Sequence, residues 1–266
     1  MMQYADTIRW APALPVYNEV KHLNQVLDEV LQYSPEVIVV NDGSTDGTDK
    51  LLEAYADRVH IITHNPNRGY GAALNSAFSW AVQEGLDAVV TIDCDGQHQT
   101  QRIRSFVEGF AYADMVSGSR YLQEFESDTA APEDRRRINR QLTAEIANRL
   151  GIHLTDAFCG FKAYRGPVLA KLELTENGYA MPLELWVQSA SLGLKIVELP
   201  VPRIYTDEKR SFGGVLDDAA TRLEYYHLTL DRSLARIAAA GWPLPCGNGI
   251  ALPGSMQAEG CSAGLH

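Results

Sequence analysis

The chain has 266 residues, 45% of them hydrophobic and 21% charged, enough to bury a sizeable core in one large α/β domain or two small ones. Acidic residues outnumber basic ones by 34 to 23, a net charge of −11, so a protein that coats nucleic-acid phosphates is disfavoured for want of a basic face. No apolar run reaches the roughly 20 residues of a spanning helix. The start lacks a secretory leader pattern and Cys94, Cys159, Cys246 and Cys261 lack close zinc spacing, which leaves a cytosolic enzyme as the expectation.

The first 120 residues alternate strand and helix signals, the pattern of a mostly parallel sheet covered by helices. Trp10 to Leu14 reads as a strand, and Asn18 precedes a periodic helix through about Leu31. The apolar run Val37–Val40 is of buried-strand type, and Ser44 or Thr45 is placed to cap the helix after it. A third strand covers Val59–Thr63, followed by a turn-rich loop and a helix from Ala72 to Glu84. Ala88–Ile92 is a fourth strand, leading through a helix at about Gln99–Phe110 to a strand at Asp114–Ser117.

Beyond this point the pattern loosens. Glu124–Glu133 reads as a mobile polar loop, Arg135–Leu150 as a strong helix and Cys159–Tyr164 as a short strand. A helix at Pro182–Leu192 and a strand at Leu194–Val201 lead to a charged loop over Tyr205–Gly214. An amphipathic helix then spans Val215 to about Ala240, its stripe of Leu216, Leu223, Tyr226, Leu230, Leu234 and Ile237 better explained by core packing than by a bilayer surface. Residues 243–266 contain no Lys or Arg, are rich in Pro and Gly, and read as a disordered tail. The chain is thus expected to form one domain over residues 1–242, with no internal repeat.

Chemistry collects at the ends of the predicted strands, where open parallel sheets bind ligands. Asp93-Cys94-Asp95 ends an apolar strand; carboxylates at i and i+2 of a strand face one way and suit an oxygen-liganded Mg²⁺ or Mn²⁺, with Gln97 close by. Taken alone, an acidic turn explains that tripeptide as well. Pro15-Val16-Tyr17-Asn18-Glu19 and Asn41-Asp42-Gly43 follow two other strands and should share the rim; Asp42 can accept from a base edge, beside the flat face of Tyr17. Asn67-Arg68-Gly69-Tyr70-Gly71 is a weak glycine-rich phosphate-loop candidate. Arg120, just past another strand, can hold a diphosphate with its fork. His98 is expected beside the acidic motif, Cys94 and Cys159 as small buried residues, and Asp156 and Glu184 as structural partners or bases.

Five ordered segments (13–19, 39–48, 67–72, 93–98 and 118–121) together resemble glycosyltransferase family 2. The segment Thr155–Arg165, with its Asp-x-x-x-Gly-Phe, resembles the polyprenyl-phosphate (dolichol-phosphate mannose synthase-like) branch. The likeness spans about residues 8–215 and implies a GT-A fold, Rossmann-like, with a nucleotide-sugar half (about 1–120) and an acceptor half (121–242) on a continuous sheet. It implies nucleotide-sugar contacts from Pro15, Tyr17, Glu19, Asp42 and Gly69, a Mg²⁺ or Mn²⁺ held by Asp93, Asp95 and Gln97, and phosphate binding by Arg120. For the acceptor phosphate it implies Arg135, Arg136 and Asn139, the last standing where a serine is expected. An arginine cluster at a helix start opposes the helix dipole, which favours an anionic partner there. The loop over Tyr205–Gly214 departs from the branch pattern; Lys209 or Arg210 supplies the missing charge, and Ser211 is an acceptor candidate.

The expected reaction is metal-dependent, inverting transfer of a hexose from GDP-mannose or UDP-glucose to a polyprenyl (dolichyl-like) phosphate. The catalytic residues would be Asp95 and Arg120, with Asp156 the first base and Glu184 the second if the acceptor were a hydroxyl. The alternatives are a soluble enzyme with a hydroxyl acceptor, such as a glycan or small metabolite, and a non-catalytic nucleotide-sugar binder. No nucleic-acid partner is expected, membrane contact is at most peripheral at the cytoplasmic face, and the sequence does not give an oligomeric state.

Overall fold

The computed structural model describes residues 4–205 and 214–245. A seven-stranded sheet runs through the molecule in the order β3-β2-β1-β4-β6-β5-β7. Its strands are β1 (Trp10–Val16), β2 (Ile38–Asn41), β3 (His60–Thr63), β4 (Ala88–Thr91), β5 (Met115–Ser119), β6 (Lys162–Arg165) and β7 (Ile196–Pro200). All neighbouring pairs are parallel except those of β6, which lies antiparallel between β4 and β5.

The inner strands β1, β2, β4 and β5 are buried on both faces, whereas the edge strands β3 and β7 are partly exposed, so the inner ones read as near-continuous apolar runs. Their side chains nevertheless alternate: Ala11 and Ala13 of β1 join one core cluster, whereas Trp10, Leu14 and Val16 join the other. The first cluster packs the sheet against α3 (Tyr70–Gln83), α5 (Glu133–Leu150), α7 (Met181–Ser191) and α8 (Ala219–Ala239). The second packs it against α1 (Leu23–Val30), α2 (Thr48–Glu53) and α4 (Ile103–Glu108). The short α6 (Gly166–Leu169) follows β6. The apolar stripe of α8 lies in the core: Tyr226, Leu230, Leu234 and Ile237 are buried there. Among the described residues no helix is long and apolar enough to cross a membrane.

Several expected boundaries move, each for a local reason. Helix α1 begins at Leu23 rather than near Asn18, because Asn18 adopts φ +57° and its side chain accepts from Thr45 N (2.8 Å) in the neighbouring loop. Ser44 and Thr45 do not cap α2. Ser44 Oγ accepts from Asn18 N (3.0 Å), while Asp46 accepts from Thr48 N (3.0 Å) at the start of the helix. The loop over Glu124–Glu133 is tied down: Asp128 accepts from Arg203 N (2.7 Å) and Thr129 N donates to Arg203 O (2.8 Å). Helix α5 begins two residues early, so Glu133 and Asp134 occupy the first turn and offset the arginines that follow. The dipole argument for an anionic partner therefore loses its force. Residues 243–245 pack on the core, with Ser191 Oγ donating to Pro243 O (2.5 Å), so the start of the expected tail is ordered; residues 246–266 lie outside the described residues.

Candidate active site

The loops after β1, β2, β4 and β5 open onto one cavity of about 390 Å³. It is lined by Pro15, Tyr17, Glu19, Asp42, Gly69, Asp93, Asp95, Gln97 and Arg120, residues far apart in the chain that the sheet topology brings to one rim. Arg135 and Asn139 of α5 line it as well. Arg136 is exposed and Asp156 is fully buried, and neither reaches the cavity; Lys209, Arg210 and Ser211 lie outside the described residues.

Asp93 and Asp95 sit in the loop past β4 rather than on the strand, so their common aim comes from the turn and not from strand alternation. Asp95 is 8% exposed, and its Oδ1 accepts from Gln97 N (3.0 Å), which fixes the turn. Asp93 accepts from Tyr70 OH at Oδ1 (3.1 Å) and lies 3.3 Å from His98 Nε2 at Oδ2. His98 is thus a neighbour of the acidic pair, its ring packed against Phe161. Among the described residues no three His, Cys, Asp or Glu side chains form a cage by themselves. Two carboxylates with an amide oxygen nearby fit a hard cation that fills its shell with substrate phosphate and water, as Mg²⁺ and Mn²⁺ do.

The glycine of the Asp-x-x-x-Gly-Phe segment has a steric purpose. A Cβ on Gly160 would lie 2.3 Å from Asp93 Oδ2, so only glycine lets this carboxylate rest against the backbone. If Asp93 holds a divalent cation, Gly160→Ala is expected to raise the Mn²⁺ concentration giving half-maximal rate by about 10- to 100-fold, the usual cost of displacing the support of a ligand.

Asp42 is more committed than its motif suggests. Its carboxylate accepts from Arg68 N (2.9 Å) and Gly69 N (2.8 Å) and lies 2.6 Å from His64 Nδ1, whose Nε2 meets Ser76 Oγ at 2.8 Å. Of about four lone-pair positions, two hold the glycine-rich loop against β2 and a third meets His64, which leaves one for a ligand.

Arg120 and Asp156 form a bidentate pair, Nε–Oδ2 2.7 Å and Nη2–Oδ1 2.9 Å, with Arg120 N adding a third bond at 3.2 Å. Phe158 N donates a fourth (3.1 Å), so the Asp156 carboxylate is saturated as well as buried. Burial opposes its ionisation, yet the Arg120 charge and these hydrogen bonds hold its carboxyl below the usual carboxylate range. The assignment of Asp156 as a catalytic base is therefore corrected: it orients the Arg120 guanidinium. Glu184 is likewise spent, accepting from Thr175 N and Glu176 N (both 2.7 Å) and pairing with Arg236 (2.5 Å). Asn139 is also engaged within the fold. Its Nδ2 donates to Thr155 O (2.9 Å) and its Oδ1 accepts from Ala157 N (3.0 Å), so it clamps the turn that presents Asp156 rather than offering a free amide.

Sequence reasoning passes over three features. Glu198 of β7 gathers Thr155 N, Thr155 Oγ1 and Asp156 N within 3.0 Å and so carries the same turn; one carboxylate in an apolar strand gives no signal of this. Lys162 of β6 is buried, its ammonium donating to Cys159 O and lying 5.4 Å from the Trp186 ring centre, and burial lowers its pKa. Finally, Tyr70, Phe158, Tyr179, Pro182 and Tyr226 give the cavity an aromatic, apolar wall, with Arg135 and Arg222 on the helices beside it. These residues come from five separate segments, and only the fold collects them. Cys94 and Cys159 are buried as expected, and desolvation pushes the Cys159 thiol up to about 11.

Residues 13–172 match the family model described as glycosyl transferase family 2. The chain belongs to glycosyltransferase family 2. This glycosyltransferase is 30% identical over 225 residues to the undecaprenyl-phosphate mannosyltransferase of Micrococcus luteus, covering 81% of this chain and 92% of that protein. It is 33% identical to the polyprenol monophosphomannose synthase of Mycolicibacterium smegmatis, covering 73% and 77%. These relatives place it in the polyprenyl-phosphate glycosyltransferase branch. Among solved structures it resembles glucosyl-3-phosphoglycerate synthase from Mycobacterium tuberculosis, in complex with Mn²⁺, UDP and glucosyl-3-phosphoglycerate. That match has a TM-score of 0.67 and 19% identity, covers 86% of this chain and 81% of that one, and supports the GT-A fold.

Proposed function

We propose that this glycosyltransferase moves a hexose, with inversion, from a nucleotide diphosphate sugar to a polyprenyl phosphate. The observation that carries the choice of acceptor is the state of the two expected bases. Asp156 and Glu184 are both buried and consumed by internal hydrogen bonds, and a phosphate acceptor, already anionic near neutral pH, needs no base. The names of the relatives point the same way, and on the same ground we favour a mannosyl donor.

In this reading Asp93 and Asp95, with Gln97, would hold a divalent cation, which would supply positive charge to the leaving diphosphate. Arg120, its fork fixed by Asp156, faces the same cavity and adds a stationary positive charge whose reorientation costs nothing during the reaction. Tyr17 and Asp42 flank the place for the base, and the remaining lone pair of Asp42 orients it. Arg135 and the aromatic wall receive the acceptor phosphate and its first apolar segment. Holding both substrates in one cavity supplies the orientation term.

A thermal-shift titration tests the donor half of this reading. GDP-mannose with Mn²⁺ is expected to raise the melting temperature, by about 2.7 kcal/mol of stabilisation at 100 times its dissociation constant. Neither GDP-mannose nor UDP-glucose shifting it, with or without metal, would contradict a nucleotide-sugar site. A liposome flotation assay tests the acceptor half. Protein is expected with vesicles containing a polyprenyl phosphate; transfer confined to soluble acceptors would favour the hydroxyl-acceptor alternative.

A further inference from the structure

The two carboxylates of the acidic loop are supported differently. Asp95 is pinned by the backbone of its own turn, through Gln97 N. Asp93 is boxed in by side chains and backbone from elsewhere: Tyr70 OH on Oδ1, His98 on Oδ2, and Gly160 close behind the carboxylate. A hydroxyl donor sets the rotation of a carboxylate without cancelling its charge, whereas an arginine in the same place would repel a cation.

Tyr70 is itself held on two sides. It is the first residue of α3, and the glycines flanking it let the helix start press against the 176–178 turn. A Cβ on Gly69 would meet Asn177 O at 2.4 Å, and one on Gly71 would meet Glu176 O at 2.2 Å. Its ring stacks on Tyr179, with centroids 5.8 Å apart and planes inclined by 20°. A side chain locked by packing on one end and hydrogen-bonded to a candidate ligand on the other has the geometry of a support group.

We propose that Tyr70 is a positioning residue for the cation site, its hydroxyl fixing the rotation of the Asp93 carboxylate at the cavity wall. The proposal rests on the reading of Asp93 as a cation ligand and adds a residue outside the acidic motif to it. Tyr70→Phe removes one oxygen and keeps the ring stack, so the metal-free melting temperature should stay within about 2 °C of wild type.

Free Mn²⁺ measured by electron paramagnetic resonance, in a titration with GDP present, reads the effect without turnover. Tyr70→Phe is expected to raise the Mn²⁺ dissociation constant by about 10-fold or more, in the range typical for lost ligand support. Tyr179→Leu, which keeps the hydroxyl and removes the stack, should raise it by less. Wild-type Mn²⁺ affinity in both variants would overturn the proposal while leaving the cation site intact. Absence of Mn²⁺ uptake by wild type itself would overturn the proposal and the cation reading together.

Discussion

Alanine at either Asp93 or Asp95 is expected to reduce hexose transfer by about 10³-fold or more. Loss of a cation that contributes several kcal/mol to a leaving diphosphate translates into that factor. The two variants should differ in a second respect. Asp95 also accepts from Gln97 N in a nearly closed position, so Asp95→Ala loosens the turn and lowers thermal stability. Asp93 is 27% exposed at its side chain, and Asp93→Ala should melt close to wild type. Initial rates with excess Mn²⁺ and with chelator, beside melting curves, check both statements. Substantial activity that survives chelation would remove the metal from the account.

Breaking the Arg120–Asp156 pair is expected to damage stability and catalysis together. Asp156 is fully buried and the Arg120 side chain is 22% exposed, so Asp156→Ala strands a guanidinium that is largely cut off from water. Removing one partner of a buried pair typically costs about 3–5 kcal/mol, and the partial exposure of Arg120 places this case at about 3. In a chain of this size that is a drop in melting temperature of about 10 °C. Arg120→Lys keeps the charge but loses the fork, and should lower turnover by about 10²-fold, similar to deleting one preorganised donor.

The pH dependence has a definite sign. Asp156 is held below its ordinary carboxyl range, so its contribution is complete above the unfolded pKa near 4 and fades as the pH falls through the lower folded value. The stability difference between wild type and Asp156→Asn should therefore be flat from about pH 8 to 5 and shrink below about pH 4. Thermal unfolding across that range reads it directly.

The donor half was legible because its signals are local. Each strand from β1 to β5 is an apolar run ending in a motif, and a parallel sheet brings such ends together. The strand β1 extends to Val16 although Pro12 and Pro15 interrupt its reading, because both neighbouring strands pair alongside it. The acceptor half was less legible, since its groups depend on contacts between distant segments. Asp156 looked like a base until its four donors were in place, and Asn139 like a free amide until Thr155 and Ala157 closed on it. Glu198 and Tyr70 carry no motif of their own; what they do is defined by a carboxylate or a turn contributed from far along the chain.

The central claim is that one cavity joins a cation-bound nucleotide sugar to a lipid phosphate, and an organic-phase transfer assay tests it most directly. Protein incubated with labelled GDP-mannose, Mn²⁺ and a polyprenyl phosphate should move label into the solvent-extractable lipid, with the transfer lost on adding chelator or in Asp93→Ala. Label appearing only on soluble hydroxyl acceptors, or reaching the lipid undiminished with chelator present, would contradict the account.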